Sequence, residues 1–187
     1  MTMSERDRML AGELYDPRDP DLCAERGRAR LLCRQFNGTR DDETEARSRL
    51  IRALIPAAGR GVWIEPPFHC DYGLNITLGD NVFFNFNCVV LDVARVRIGS
   101  GVLCGPAVQI YAATHPLRAA ERRTGLEAGK PVEIGDETWI GGGAIICPGV
   151  RIGARSVIGA GSVVTRNIPD DVFAAGNPCR IVRAIEH

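Results

Sequence analysis

The side chain best suited to acid–base chemistry in this sequence is His115, which directly precedes a proline. The chain has three histidines, His69, His115 and His187. A neutral imidazole can accept a proton near pH 7 and so activate a hydroxyl group, which is a poor nucleophile on its own. Pro116 keeps His115 extended rather than helical. We therefore predict a general base at His115, in preference to a purely structural role.

The same residue types argue against metal and nucleotide chemistry. A catalytic metal commonly takes three protein ligands, and the three histidines do not form a suitably spaced set, because the last lies in the tail. The seven cysteines are scattered and include no Cys-x-x-Cys pair, which argues against a disulfide framework and a zinc ribbon. No Gly-rich phosphate loop joins a strand to a helix. We expect no metal and no nucleotide-hydrolysing fold.

A six-residue repeat is the element that must position His115. Residues 134–169 form six consecutive units, each opening with Ile or Val and continuing with a small residue. A period of six suits a chain that turns a corner after every short strand. Three strands then close a coil of about 18 residues, and coils stack roughly 4.8 Å apart. The sequence predicts a mainly β fold, a parallel β-helix over residues 59–175.

The repeat is interrupted before this block. Earlier units open at Leu78, Phe84, Val90, Ile98, Cys104 and Ile110, with a two-residue slip before Ile98. Residues 62–75 contain apolar residues and corners without a clean period of six. Residues 116–133 abandon the pattern altogether, which predicts a protruding loop of the kind in which a solenoid keeps its function. His115 lies at the root of that loop.

Residues 1–58 predict a small helical module. Its three helices run from Ser4 to about Gly12, from an Asp19 N-cap to about Phe36, and from about Asp42 to Pro56. The arginines at 26, 28, 30, 34 and 40 are flanked by acidic residues and lack stacking aromatics, so we interpret them as a solvated helix face and not as an RNA-binding surface. The helices can cap one end of the solenoid, and residues 176–187 can form a final strand and tail at the other.

Composition restricts the class of protein further. The 187 residues include 23 basic and 23 acidic side chains, so nothing in the net charge favours nucleic acid or a membrane surface. No apolar run approaches the roughly 18 residues that span a bilayer, and the N-terminus lacks the apolar core of a signal peptide. We expect a soluble cytoplasmic protein.

Several motifs together resemble the maltose and galactoside O-acetyltransferases. They are Ala11-Gly-Glu-Leu-Tyr15, Cys70-Asp-Tyr-Gly-Leu-Asn75, Asn85-Phe86, Leu91-Asp92, Thr114-His115-Pro116, Trp139-Ile-Gly-Gly142 and Ala175-Gly-Asn-Pro178. Hexapeptides alone occur in many acyltransferases, whereas the N-terminal segment combined with the Asn85 and His115 motifs is specific. The resemblance covers nearly the whole chain. It implies a left-handed β-helix, a homotrimer with active sites between subunits, and acetyl transfer from acetyl-CoA to a sugar hydroxyl.

The resemblance also implies roles for individual residues. His115 and Asn85 would be catalytic, with the Asn85 amide near the acceptor hydroxyl. Acceptor contacts would come from Asp16, Asp71, Tyr72, Asp92 and Glu127, although Asp71 and Asp92 could equally cap turns of the coil. Acetyl-CoA contacts would come from Trp139, Gly142, Ala160, Thr165, Arg166, Arg180 and Arg183, whose arginines suit phosphates. Serine often holds the position of Gly142 in the family, so we expect the Gly142 backbone N–H to bind the oxyanion.

Alternative functions remain open at this point. The same scaffold resembles acetyltransferases that act on antibiotics or amino acids, and the loop at residues 118–130 does not discriminate among these acceptors. A metal-dependent hydratase would need three histidine ligands. A non-catalytic scaffold would have lost the His115 motif, which is intact here.

Overall fold

The computed structural model describes residues 3–186, in which three helices precede a parallel β-helix. The helices are α1 (Glu5–Ala11), α2 (Pro20–Asn37) and α3 (Thr44–Leu54). The side chain of Ser4 caps α1 and that of Asp19 caps α2, as the sequence predicts, while α3 begins two residues after the predicted Asp42. His187 lies outside the described residues.

Short strands make up the rest of the chain. In order they are β1 (Ala57–Ala58), β2 (Trp63–Ile64), β3 (Phe68–Cys70), β4 (Ile76–Leu78), β5 (Phe83–Phe84), β6 (Cys88–Leu91), β7 (Val96–Ile98), β8 (Leu103–Cys104), β9 (Gln109–Tyr111), β10 (Ala113–Thr114), β11 (Ala128–Gly129), β12 (Val132–Ile134), β13 (Trp139–Ile140), β14 (Ile145–Ile146), β15 (Arg151–Ile152), β16 (Val157–Ile158), β17 (Val163–Val164), β18 (Val172–Ala175) and β19 (Arg180–Ala184). A one-turn helix, α4 (Ala119–Arg122), lies between β10 and β11.

Each coil contributes one strand to each of three sheets. Sheet 1 has the order β1-β4-β7-β12-β15, sheet 2 the order β2-β5-β8-β13-β16-β18-β19, and sheet 3 the order β3-β6-β9-β14-β17. The pairs are parallel, except that β19 folds back antiparallel on β18. A separate antiparallel pair, β10 and β11, forms the protruding loop. The predicted β-solenoid with an N-terminal helical region is confirmed, and the solenoid has about six turns.

The first coil is more regular than the sequence suggested. Ala58, Ile64 and Cys70 are six positions apart, and they pair with Leu78, Phe84 and Val90 of the next coil. The repeat therefore begins at Ala58 and not at Leu78. Small Ala58 hid the pattern because it stands where later coils carry a large aliphatic residue.

Buried hydroxyl groups hold the corners of the later coils. The Thr138 hydroxyl donates to the Gly135 and Gly153 carbonyls at 2.9 and 3.0 Å, and the Ser162 hydroxyl donates to the Gly159 carbonyl at 2.6 Å. These residues occupy the fifth place of their units and are fully buried. A small polar side chain there satisfies corner carbonyls that would otherwise lack a partner inside the coil.

Two polar contacts attach the helices to the first coil. The Asn37 amide accepts from the Phe68 N–H at 2.8 Å and donates to the Phe68 carbonyl at 3.0 Å. Arg47, only 3% exposed, bridges Asp41 at 2.8 Å and Glu65 at 3.5 Å. Glu65 lies in the corner between β2 and β3, so α3 is fixed to the solenoid itself. Within residues 3–186, no helix has the length and apolarity to cross a bilayer.

Candidate active site

Three corners along one edge of the solenoid are longer than the rest. Cys70 and Leu78 are eight positions apart, as are Val90 and Ile98, and Ile110 and Ile134 are twenty-four apart. In the next coil the corresponding residues, Ile146 and Ile152, are six positions apart. The extra residues all follow strands of sheet 3, so they accumulate at the edge between sheet 3 and sheet 1. We call this the long-corner edge.

A cavity of about 290 Å³ lies at the long-corner edge, and we call it the corner cavity. Its walls come from the helical module, from all three long corners and from the protruding loop. The lining residues are Tyr15, Pro17, Arg26, Arg30, Asp71, Tyr72, Leu91, Val93, Ala113, His115 and Glu127. It therefore brings Asp71 and Tyr72 of the first long corner together with His115 and Glu127 of the third.

His115 follows the first strand of the loop. Its neighbour Thr114 pairs with Ala128 across the β10–β11 ladder, which fixes where the loop leaves the coil. Pro116 keeps the chain extended at this point. The His115 side chain is exposed, so a molecule in the corner cavity can reach the imidazole.

The helical module holds the far strand of the loop. Tyr15 and Glu127 form an antiparallel bridge, with both backbone N–H groups donating at 3.0 and 3.1 Å. The Tyr15 hydroxyl also donates to the Glu127 carboxylate at 3.1 Å. Burial and the Glu127 charge raise the pKa of Tyr15 far above its ordinary value, so Tyr15 stays a hydrogen-bond donor.

Two arginines of α2 reach the corner cavity. The Arg26 guanidinium donates to the Tyr72 hydroxyl at 2.7 Å, donates to the Pro17 carbonyl, and lies over the Tyr72 ring at 5.7 Å. Arg30, one turn further on, lines the same cavity. The interpretation of the arginine series as a solvated face is thus wrong for Arg26. Its position in the buried stripe of Leu22, Ala29 and Cys33 was the available signal.

The two aspartates of this edge are placed differently. Asp71 lines the corner cavity, and burial raises the pKa of its carboxyl group. Asp92 is fully buried and accepts from the N–H groups of Asp71, Tyr72 and Asn75 at 3.0, 2.9 and 3.3 Å. Burial raises the pKa of Asp92 to about 6. Asp92 therefore shapes the corner that carries Asp71 and is not on the cavity wall, contrary to the expected acceptor contact.

Asp16 makes its side-chain contacts with a neighbouring residue of the same turn. Its carboxylate accepts from the backbone N–H and the Nε of Arg18, both at 2.9 Å. Its neighbours Tyr15 and Pro17 line the cavity, whereas Asp16 does not. In this structure Asp16 holds a local turn.

Asn85 lies on another edge of the solenoid. It follows β5, so it stands between sheet 2 and sheet 3, and its side-chain oxygen accepts from the Phe86 N–H at 2.7 Å. The equivalent corners of later coils hold Pro106, Gly142 and Ala160. One chain therefore does not bring Asn85 to His115.

The expected acetyl-CoA contacts lie in three groups. Gly142 and Ala160 lie on the same edge as Asn85, in successive coils. Trp139, which is 55% exposed, lies on β13, the strand that precedes Gly142. Thr165 and Arg166 follow β17, and Arg180 and Arg183 are exposed on β19. In the described part of the chain, the backbone hydrogen bonds of turns, loops and caps include none donated by the Gly142 N–H.

Sheet 2 carries an outward row of apolar side chains. Strand pairing aligns Trp63, Phe83, Leu103, Trp139, Val157 and Phe173 in register. We call this row the apolar ladder. Trp139 and Leu103 are about half exposed, so this row presents apolar surface on the outside of the sheet.

Another depression, of about 220 Å³, lies on sheet 1. Its walls include Arg97, Glu133 and Arg151, whose strands pair in that order. The Arg151–Glu133 contact is 3.9 Å long and both side chains are more than half exposed, which marks a solvated charge ladder. Among the described residues, no group of three His, Cys, Asp or Glu side chains is placed to hold a metal ion.

Comparison with protein families gives two matches. Residues 8–59 match the maltose acetyltransferase hexapeptide capping motif, and residues 131–166 match the six repeats of the bacterial transferase hexapeptide. The first match covers Tyr15, Arg26 and Arg30. The second covers the regular coils after the loop.

Individual relatives match almost the whole chain. Nodulation protein L of Rhizobium meliloti is 49% identical over 181 residues, which are 97% of this chain and 99% of that protein. The crystal structure of a maltose O-acetyltransferase from Clostridium difficile 630 is 47% identical, with a TM-score of 0.98 and full coverage of both chains. A galactoside acetyltransferase in complex with coenzyme A is 40% identical, with a TM-score of 0.96, and the match covers 99% of this chain and 92% of that one.

Proposed function

This chain belongs to the maltose and galactoside O-acetyltransferase family, and on that premise we propose that it transfers an acetyl group from acetyl-CoA to a sugar hydroxyl. The acceptor would be a small sugar such as maltose, glucose or a galactoside. The observation that carries the proposal is the exposure of His115 on the wall of the corner cavity, beside Asp71 and Glu127.

His115 would act as the general base. Its imidazole takes the proton of the attacking hydroxyl while the hydroxyl oxygen bonds to the thioester carbonyl carbon. As the carbon–sulfur bond breaks, the same imidazolium returns the proton to the departing thiolate. No group on the enzyme needs to be acetylated in this direct transfer.

The walls of the corner cavity suit a polyhydroxyl acceptor. The carboxyl groups of Asp71 and Glu127 can accept hydrogen bonds from sugar hydroxyls. Tyr72 lies in the same wall next to Asp71, and its buried hydroxyl is already hydrogen-bonded to Arg26. Leu91, Val93 and Ala113 supply an apolar surface for the sugar ring.

We also propose that a neighbouring subunit completes the site. Asn85 is assigned a role at the acceptor hydroxyl, yet within one chain it stands on a different edge from His115. A rotational copy of the chain can bring the Asn85 edge of one subunit to the His115 edge of the next. The apolar ladder supports this assembly, because packing against a second copy would remove Trp139 and Leu103 from water.

Acetyl-CoA would bind along the same junction. Gly142 would donate its backbone N–H to the oxyanion of the tetrahedral intermediate. Trp139, Ala160 and Thr165 would flank the pantetheine, and Arg166, Arg180 and Arg183 would pair with the phosphates. The similar galactoside acetyltransferase solved in complex with coenzyme A supports acetyl-CoA as the acetyl donor of this chain.

Thiol release from acetyl-CoA tests the proposal. We expect release with maltose, glucose or a galactoside, and loss of nearly all of it in His115→Ala, which removes the base but leaves the rest of the corner cavity. A worthwhile control is His69→Ala, because His69 is an exposed histidine outside that cavity.

Chloramphenicol and serine belong in the same panel, since antibiotic and amino-acid acceptors are the rival enzymatic assignments. If only chloramphenicol or only serine produced thiol release, that compound and not a sugar would be assigned as the acceptor. If none of these acceptors produced thiol release, the enzymatic assignment would be wrong and a non-catalytic solenoid would be favoured. Full activity in His115→Ala would show that His115 is not the general base.

A further inference from the structure

A second cavity, of about 220 Å³, lies where α2 crosses β3, and two cysteines meet there. Its walls are Arg30, Cys33, Arg34, His69 and Cys70. Both cysteines are free thiols and both are mostly buried, Cys33 being 4% exposed and Cys70 8% exposed. No step of the proposed acetyl transfer uses them.

The register between α2 and β3 brings the two thiols together. Asn37 is hydrogen-bonded to both backbone groups of Phe68, which fixes one point of the crossing. Cys33 lies four residues before Asn37, a rise of about 6 Å along the helix. Cys70 lies two residues after Phe68, about 6.6 Å along the strand. Both residues thus lie a similar distance from that point, and both reach the wall of the same cavity.

Their surroundings favour reaction at one sulfur. Interaction with the neighbouring Cys70 thiol lowers the pKa of Cys33, whereas interaction with Cys33 together with burial raises the pKa of Cys70. Arg30, Arg34 and His69 border the cavity and stabilise negative charge. A nucleophilic thiol, a partner thiol and basic side chains thus share a single opening.

We propose that Cys33 and Cys70 form a dithiol that hydrogen peroxide oxidises to a reversible disulfide joining the helical module to the solenoid. The Cys33 thiolate attacks one peroxide oxygen, an S–O bond forms, the O–O bond breaks, and the second oxygen leaves as water after taking a proton. The Cys70 thiol then attacks the sulfenic sulfur, the S–S bond forms, and the sulfenic oxygen leaves as a second water. Two thiols lose two electrons and the peroxide gains them.

The disulfide would lie directly behind the corner cavity. Arg30 lines both cavities, and Asp71 follows Cys70 in the chain. Drawing the two sulfurs into bonding distance moves α2 and the first long corner relative to each other. This consequence rests on the proposed function, and it predicts a several-fold rise in KM for the acceptor with little change in KM for acetyl-CoA.

Mass spectrometry tests the crosslink without any activity measurement. The reduced, assembled protein is treated with one equivalent of hydrogen peroxide per subunit, alkylated and digested with trypsin. We expect peptide 31–34, which holds Cys33, to be joined to peptide 61–95, which holds Cys70. Because the second peptide also contains Cys88, fragmentation locates the link. The link should disappear on dithiothreitol treatment and in Cys33→Ser.

The exposed Cys23 of the same helix supplies a matched control, since Cys23→Ser should leave the link intact. The proposal is overturned if Cys33 and Cys70 remain alkylatable while Cys23 is oxidised, or if each is oxidised without joining. A link that forms without changing the acceptor KM would overturn the coupling to the corner cavity alone. Absence of activity in the unoxidised protein would instead count against the proposed function.

Discussion

Two aspartates of the long-corner edge show how placement decides the role of a residue. Asp71 and Asp92 are both acidic and both were expected to contact the acceptor, but only Asp71 reaches the corner cavity. Asp92 is surrounded by the N–H groups of the first long corner. Its charge is costly to bury, which is why its pKa rises to about 6 although three N–H groups stabilise the carboxylate.

The raised pKa of Asp92 predicts an unusual pH dependence. A folded pKa of about 6 against an ordinary 3.8 gives a stabilising contribution that is complete below the lower value and lost as pH rises through the higher one. Asp92→Ala should therefore lower the free energy of unfolding by about 2 kcal/mol more at pH 4 than at pH 7. Denaturant unfolding at equal subunit concentration measures the difference.

Asp80→Ala is the control for that experiment. Asp80 is a corner aspartate whose pKa is lowered by the backbone N–H and side chain of Arg60, so its contribution is present above its unfolded pKa and lost toward acid. The two variants should show opposite trends with pH. Parallel trends would show that burial does not control the ionisation of Asp92.

The oxyanion role of Gly142 can be tested without changing the corner. Pro106 occupies the equivalent position one coil earlier, and in both corners the following residue has positive φ, Ala107 at 57° and Gly143 at 68°. Gly142→Pro should therefore fit the backbone while removing the N–H. We expect kcat to fall about a hundred- to a thousand-fold.

Gly142→Ala separates the lost N–H from added bulk. A Cβ at Gly142 would meet Pro106 atoms at 3.1 to 3.3 Å, so the neighbour needs to move only slightly. This variant should keep most of its kcat in steady-state assays. Equal kcat in the proline and alanine variants would assign the oxyanion to another donor.

At the scale of elements, the repeat explains most of what the sequence could predict. Six-residue spacing identified the strands from Leu78 onward, and capping residues identified the helices. The angle at which α2 crosses the first coil has no such local signal, because it depends on contacts such as Asn37 with Phe68. The corner-cavity residues Arg26 and Arg30 were missed for that reason.

Arg47 tests how the helical module is held on the solenoid. Its guanidinium is buried between Asp41, Thr39 and Glu65, so Arg47→Leu leaves Glu65 without its cation. Glu65 is 23% exposed and keeps the hydrogen bond from the Trp63 indole N–H, so we expect a cost of about 1.5 kcal/mol, as for a hydrogen bond to a charged group. We expect a clear fall in the thermal unfolding midpoint and in urea stability.

Arg49→Leu is the matched control on the same helix. Arg49 is 74% exposed and 3.9 Å from Glu45, a pair of the kind that contributes little. Its loss should change stability by less than about 0.5 kcal/mol. If both variants lost equal stability, the buried bridge would not be the main attachment.

At the scale of the whole molecule, the solenoid places the predicted catalytic residues on different edges. His115 stands on the long-corner edge, and Asn85 and Gly142 share the edge between sheets 2 and 3. The motifs predict roles for these residues, but they do not show that a single chain keeps the residues apart. That separation depends on which sheet each corner follows, which is known only from the folded structure.

The central claim is that His115 and Asn85 of neighbouring subunits form one active site, and subunit mixing tests it most directly. His115→Ala and Asn85→Ala proteins are dissociated in denaturant, mixed in equal amounts and refolded, with each protein refolded alone as the control. Every mixed trimer would contain one intact site of three, so random mixing predicts recovery of about a quarter of the wild-type activity. Mixed trimers that form, as native mass spectrometry would show, yet remain as inactive as the two parents would contradict the account.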